Sequence, residues 1–276
     1  MFSRRSLLGG VAGAAATALA GCGGSPPKGA SFASLPPASQ PVRPGLDAVI
    51  DISHNVTVTD FAAVRRSDIH SVIHKVSEGG DWFDPSYAAR RREAEAIGFL
   101  WGGYHFGTRQ YSGEEQAAAF LSACRPGPST LMALDLEPND RNPRNTMTLS
   151  QAEAFVRTVH RATGRLPMVY THAAWANGNR YGRRGLRLDR PVTASSILAR
   201  CDLWLADYRE QHPELPYAWA DKGWRLWQYA ADETPDSYGH GSDFRAVEGV
   251  THCDRNVFNG DIVELYRFWK GGSAMA

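Results

Sequence analysis

The sequence predicts an α/β chain whose strands close into a single β/α barrel. Short apolar and β-branched runs alternate with segments of helical period, and eight such runs fit between residues 46 and 258. With both ends set aside, residues 46–270 remain, a length that suits one barrel domain. Strand–helix–strand alternation brings parallel strands together through right-handed crossovers, and eight strands favour closure over an open sheet.

The first strand runs from Leu46 to Ile52, and Thr59 is placed to cap a short helix opening Asp60-Phe61-Ala62-Ala63-Val64. Ser71 to Val76 forms the second strand and runs out at Glu78-Gly79-Gly80. Asp84 suits the N-cap of the next helix and Pro85 its first position, with a stop at Gly98. Phe99 to Phe106 is the third strand, and Ser112-Gly113-Glu114-Glu115 caps a helix that ends near Pro126. Thr130 to Glu137 is the fourth strand; Ser150-Gln151-Ala152-Glu153 reads as a capping box for a helix stopping at Gly164. Met168 to Thr171, Leu203 to Tyr208, Trp224 to Ala230 and a run around His252 to Phe258 supply the remaining strands. Helices thin out after the fifth strand, so the last third is expected to be irregular and helix-poor. No internal repeat and no Gly-x-Gly-x-x-Gly phosphate cradle is present, which weakens a nucleotide reading.

The ends read differently. Residues 1–22 form an export signal: Ser3-Arg4-Arg5-Ser6-Leu7-Leu8 is a twin-arginine pattern, followed by a small apolar run from Gly9 to Ala20. That run is too short and too rich in Gly and Ala for a good membrane-spanning helix. Leu19-Ala20-Gly21-Cys22 resembles the lipobox of bacterial lipoproteins, which implies a lipidated Cys22 as the first mature residue. The expected location is therefore the cell envelope, reached by the twin-arginine route after folding, with a lipid anchor in the membrane. Residues 23–45 are rich in Gly, Ser, Pro and Ala and form a disordered or polyproline-like tether, with a reach of roughly 70 Å at about 3.1 Å per residue. Residues 271–276 form a flexible tail.

The formal charge is +1, and losing Arg4 and Arg5 with the signal brings it to −1, which does not suggest a nucleic-acid partner. The 43% hydrophobic and 21% charged content is ordinary for a folded core. With Cys22 lipidated, Cys124, Cys201 and Cys253 allow at most one internal disulfide, Cys201–Cys253 being the candidate pair, and their spacing matches no zinc site. The chain is expected to act as a monomer.

The most informative stretch is Leu131-Met132-Ala133-Leu134-Asp135-Leu136-Glu137, an apolar strand that ends in two carboxylates. Side chains alternate along a strand, so Asp135 and Glu137 share a face. Two acids so placed can have their pKa values pushed apart, which is the equipment of a glycosidase. Active sites of β/α barrels lie at the C-terminal strand ends. Those ends carry Asp51, Lys75 near Glu78, Tyr104 and His105, Tyr170, Asp207, Trp227 and Gln228, and Asp254 with Asn256. Singly, each has a bland explanation: core aromatics, structural histidines, or a lysine neutralising Glu78. As a set they describe a groove with several carboxylates and aromatic walls, which suits a sugar.

The ordered motifs Asp51-Ile52-Ser53, Lys75-Val76-Ser77-Glu78-Gly79, Asp84-Pro85-Ser86-Tyr87 and Gly103-Tyr104-His105-Phe106 resemble glycoside hydrolase family 25, the lysozymes of the Chalaropsis and Cellosyl type. Asp135-Leu136-Glu137, Leu203-Trp204-Leu205-Ala206, Trp227-Gln228-Tyr229 and Asp254 to Gly260 complete the series, over about residues 46–268. The resemblance implies a flattened, TIM-like barrel whose later strands lack regular helices. It implies cleavage of the β-1,4 bond between N-acetylmuramic acid and N-acetylglucosamine in peptidoglycan. Glu137 would be the general acid and Asp135 the second carboxylate, orienting the substrate's 2-acetamido group or stabilising an oxocarbenium-like transition state. Asp51 and Asp254 match the family's other active-site acids. Tyr104, Tyr170 and Trp227 would line the groove, with His105, Asp207 and Gln228 as further substrate contacts. No metal or organic cofactor is implied.

Two rivals stand beside this reading. A chitinase-type hydrolase also uses an Asp-x-Glu strand end, but carries further aspartates upstream, where this chain has Leu131 to Leu134. A catalytically idle wall-binding lipoprotein would not need Asp51, Asp135, Glu137 and Asp254 intact. The segment from Asn177 to Ala199, with Arg180, Arg183, Arg184, Arg187 and Arg190, looks like a basic insertion, either a solvated loop or a contact for the glycan or its peptides.

Overall fold

The computed structural model describes residues 44–182, 184–208, 212–231 and 246–271. The expected export signal with Cys22, nearly all of the expected tether, and the residues beyond 271 lie outside the described residues.

Nine strands form one sheet: β1 Leu46–Ile52, β2 Ser71–Glu78, β3 Trp82–Phe83, β4 Leu100–Phe106, β5 Leu131–Asp135, β6 Met168–Thr171, β7 Leu203–Ala206, β8 Leu226–Ala230 and β9 Asp254–Phe258. Their order is β1-β9-β8-β7-β6-β5-β4-β2-β3, and pairing of β1 with β2 closes eight of them into a barrel. The strands are parallel from β1 through β8, except for β3, a short antiparallel return on β2. Strand β9 departs from the all-parallel expectation: it runs antiparallel to both β1 and β8. Among the described residues, no helix lies between β8 and β9.

In-register partners share a face, which fixes what points inward. Asp51, Ile73, Gly102 and Leu131 follow one another around the lumen. Asp135, Tyr170, Trp204, Leu226 and Phe258 continue that face. The lower lumen is filled by Val49, Ile73, Leu131, Met168, Trp204 and Phe258, and Leu265 and Trp269 pack into the same cluster. Those two come from α7 (Ile262–Gly271), a C-terminal helix that the sequence reading did not anticipate. The Trp269 indole donates to the Trp101 carbonyl at 2.8 Å. The opposite strand faces pack on α1 Phe61–Arg66, α2 Tyr87–Ala96, α3 Gly113–Cys124 and α4 Leu149–Thr163, through Val72, Trp101, Leu134, Phe120 and Phe155.

Between β6 and β7 the helices shrink to α5 Ala173–Ala176 and α6 Ile197–Arg200, as the thinning pattern predicts, and α7 is the exception to it. Three helix starts and one strand end differ from expectation. Asp60, not Thr59, caps α1, because its carboxylate accepts from the Ala62 N–H at 2.8 Å. Helix α2 starts at Tyr87, since Asp84 closes a turn on the Ser86 N–H at 2.9 Å rather than capping a helix at Pro85. The capping box of α4 is Thr148 with Gln151, two residues before Ser150, whereas Ser112 and Glu115 cap α3 as read. The fourth strand ends at Asp135, leaving Glu137 just beyond it. Cys124, Cys201 and Cys253 are all buried free thiols, so the Cys201–Cys253 bridge is not formed.

Candidate active site

The C-terminal strand ends open into a cleft of about 1070 Å³. Asp51, Tyr104, Asp135, Glu137 and Asp254 all line it, together with Lys75, Glu78, Trp82, Tyr111 and residues of the loops after β5 and β6.

Asp135 and Glu137 enter from the same strand end. The Leu136 N–H between them donates to the Tyr170 carbonyl at 2.9 Å, and its side chain is buried on the other face, so the pair is turned inward together. Asp135 is only 7% exposed, and its Oδ1 is buried without a hydrogen-bond partner. Burial first, and the Glu137 charge second, push the Asp135 carboxyl well above the usual carboxylate range; Lys75 partly opposes this.

Asp51 and Asp254 face each other across the β1–β9 ladder. Asp51 Oδ2 accepts from Asn256 Nδ2 at 2.8 Å and from Gln228 Nε2 at 2.9 Å. Both amides are oriented from behind. Gln228 Oε1 accepts from the Tyr170 hydroxyl at 2.7 Å and the Tyr208 hydroxyl at 3.1 Å, and Asn256 Oδ1 accepts from the Trp204 indole at 2.6 Å. Burial raises Asp51 from 3.8 to about 6, with the two amide donors holding it back. Burial and the surrounding charges of Asp51, Asp135 and Asp254 also push the Tyr104 hydroxyl upward, so it remains a neutral donor in the cleft.

On one bank, Lys75 Nζ lies 2.7 Å from Glu78 and 5.0 Å from the centre of the Trp82 ring. His54 stands 5.2 Å from the same ring, and Asp84 Oδ2 accepts from its backbone N–H at 2.8 Å. Trp82 was not foreseen; its only sequence signal is its position directly after the Glu78-Gly79-Gly80 strand end.

The remaining sequence candidates separate. Tyr170 and Gln228 are buried beneath the acids and act through the network just described. His105 points outward from β4: its ring nitrogens meet Ser77 Oγ at 2.9 Å and Gln116 Oε1 at 3.1 Å, and it stacks on Phe155. Trp227 also faces outward, fully buried with Tyr229 and Val257, and its indole donates to the Asp207 carbonyl. Asp207 Oδ2 accepts from the Glu214 N–H at 2.7 Å and ties down a loop. The strand period explains all three: each is one residue out of phase with Tyr104, Gln228 or Ala206 on its own strand.

Comparison with known proteins agrees with this geometry. Residues 50–237 match the glycosyl hydrolases family 25. Lysozyme M1 of Streptomyces globisporus is 26% identical over 78% of this chain and 69% of its own length. An N,O-diacetylmuramidase of Arthroderma benhamiae is 26% identical over 88% of this chain and 95% of its own. A family 25 lysozyme from Aspergillus fumigatus has a similar structure, with a TM-score of 0.62 at 29% identity, covering 82% of this chain and 99% of that one.

Proposed function

The chain belongs to glycosyl hydrolases family 25 and is a glycosidase of the lysozyme type, and from that premise we propose that Glu137 and Asp135 cut the β-1,4 bond between N-acetylmuramic acid and N-acetylglucosamine in peptidoglycan. The observation that carries this is the inward-turned carboxyl pair whose inner member, Asp135, is buried, adjacent to a second charge and pushed upward.

Two like charges on one strand end disfavour double ionisation, so the pair holds one proton between them. In the empty cleft that proton sits on the more buried Asp135. A substrate acetamido N–H seated on the unpartnered Asp135 Oδ1 favours the ionised form of Asp135 and leaves the proton to Glu137. Glu137 then protonates the leaving glycosidic oxygen as the C–O bond breaks. The acetamido oxygen, steered by ionised Asp135, attacks the anomeric carbon, and water later opens the resulting ring. Asp51 and Asp254, held by Asn256 and Gln228, place negative charge opposite the developing oxocarbenium. This substrate-assisted route retains the anomeric configuration of the first product; a clean inverted product removes it.

Glu137→Gln tests the acid assignment. It is expected to lower clearing of purified peptidoglycan by about 10²–10⁴-fold while still sedimenting with the walls. Clearing at the normal rate removes the assignment. Export by the twin-arginine route and a lipid on Cys22 belong to the same proposal, supported by the N-terminal pattern. Cys22→Ala should then move the protein from the membrane fraction to the soluble one.

A further inference from the structure

Among the described residues three Lys or Arg side chains line the cleft: Lys75, Arg141 and Arg184. Lys75 is neutralised by Glu78 at 2.7 Å. Neither Arg141 nor Arg184 makes a side-chain hydrogen bond, ion pair or ring contact among the described residues, and both are exposed. Their loops follow β5 and β6, neighbouring strands in the barrel. In the ring order those strands stand opposite β1 and β9, which carry Asp51 and Asp254. The cleft therefore has carboxylates along its floor and, on one bank, two guanidiniums without an ion-pair partner among the described residues, with Asp140 as the carboxylate beside them.

That bank is built rather than loose. Tyr181 and Leu186 exchange backbone hydrogen bonds of 2.9 and 3.0 Å around the turn that carries Arg184. The Tyr181 hydroxyl lies 2.6 Å from His172 Nε2, and Leu188 and Val192 are buried in the outer core. The loop after β6 is also tied to the first turn of α4, where the loop after β5 ends: Asp189 Oδ1 accepts from the Leu149 N–H at 2.8 Å, and Arg190 donates to Ser150 Oγ at 2.9 Å.

Such a cleft fits a ligand that is neutral along its length and anionic on one side. A peptidoglycan strand has that form: an uncharged sugar backbone, with a carboxylate-bearing peptide on the lactyl group of each muramoyl residue. Resting on the muramidase reading above, we infer that Arg141 and Arg184 form a subsite for the carboxylates of the peptide stem. Guanidinium forks pair with carboxylates in two-point geometry, which lysine cannot reproduce. A phosphodiester wall polymer offers the same charge, but it is not fixed beside the bond to be cut.

The test uses glycan strands freed of anionic polymers, with peptide stems intact or removed by an amidase. The ratio of kcat/KM on the two substrates is measured for the unaltered protein, for Arg141→Ala/Arg184→Ala and for Arg141→Lys/Arg184→Lys. The unaltered protein should favour stem-bearing strands by about fivefold per arginine, the scale of an exposed ion pair. High salt should shrink that ratio, the alanine pair should bring it near one, and the lysine pair should retain part of it. Because the guanidiniums have no partners, all three proteins should melt together. A ratio identical in the unaltered and alanine proteins overturns the subsite and leaves the muramidase reading standing. Failure of the unaltered protein to cut either strand overturns that reading, and the subsite with it.

Discussion

Replacing Asn256 with leucine removes one of the two amide donors that hold Asp51 while keeping the side-chain volume nearly constant. The lost bond, 2.8 Å from Nδ2 to Asp51 Oδ2, ends on a carboxylate that burial already raises to about 6. A hydrogen bond to a charged group contributes about 1.5–3 kcal/mol, and about 1.4 kcal/mol moves a pKa by one. Asp51 should therefore titrate about one to two pH units higher in the variant. If ionised Asp51 is needed in the transition state, the acid limb of the kcat/KM profile moves up by the same amount. Stability follows with a definite sign. A carboxyl raised on folding is most favourable when protonated in both states, below pH 3.8, and stability is lost as pH rises from 3.8 to about 6. That loss is about 3 kcal/mol, and in the variant it should extend further toward neutral pH. The substitution also strands the Trp204 indole N–H, now 2.6 Å from Asn256 Oδ1, at a further cost of about 1–3 kcal/mol. Rates against pH on soluble glycan strands, with thermal melts over the same range, check both parts. A melt that falls while the acid limb stays in place refutes the role given to Asp51.

Asp135→Asn removes the buried carboxyl that burial and Glu137 push upward, so turnover should fall about 10²–10³-fold while the melting temperature at neutral pH rises; unchanged turnover would count against Asp135. Trp227→Phe should lower the melting temperature, because the buried indole loses its bond to the Asp207 carbonyl, yet leave KM for glycan strands unmoved; a raised KM would return Trp227 to the groove. Gly113→Ala places a Cβ 2.1 Å from the Gln151 carbonyl and 2.7 Å from the Phe155 nitrogen, so the α3–α4 contact should loosen at a cost of about 3 kcal/mol, read by denaturant melts.

The barrel was legible because its strands are short apolar runs closed by polar residues, and all eight lie within two residues of where the runs placed them, Trp224 to Ala230 among them. The direction of β9 was not legible: a run from His252 to Phe258 carries no mark of its partners, and it is the antiparallel pairing with β1 and β8 that shows it. Helix α7 escaped notice because its apolar residues come after the last recognisable motif, although Leu265 and Trp269 follow helical spacing and fill the barrel floor. In the site, Asp51, Asp135, Glu137, Tyr104 and Asp254 could be placed at strand ends and do meet in one cleft. His105, Trp227 and Asp207 share those ends but not their phase, and inward phase depends on register with neighbouring strands, as the pairs Ala206–Gln228 and Leu205–Trp227 illustrate. Trp82 could not be foreseen, since it reaches the cleft through a two-residue strand that exists only by pairing with β2.

The most direct measurement is mass spectrometry of the fragments released from purified peptidoglycan, with the new reducing ends identified by borohydride reduction. Cleavage by the Asp135–Glu137 pair as described predicts reduced muramic acid at every new end, in the unaltered protein and not in Glu137→Gln. Reduced glucosamine at those ends would contradict it.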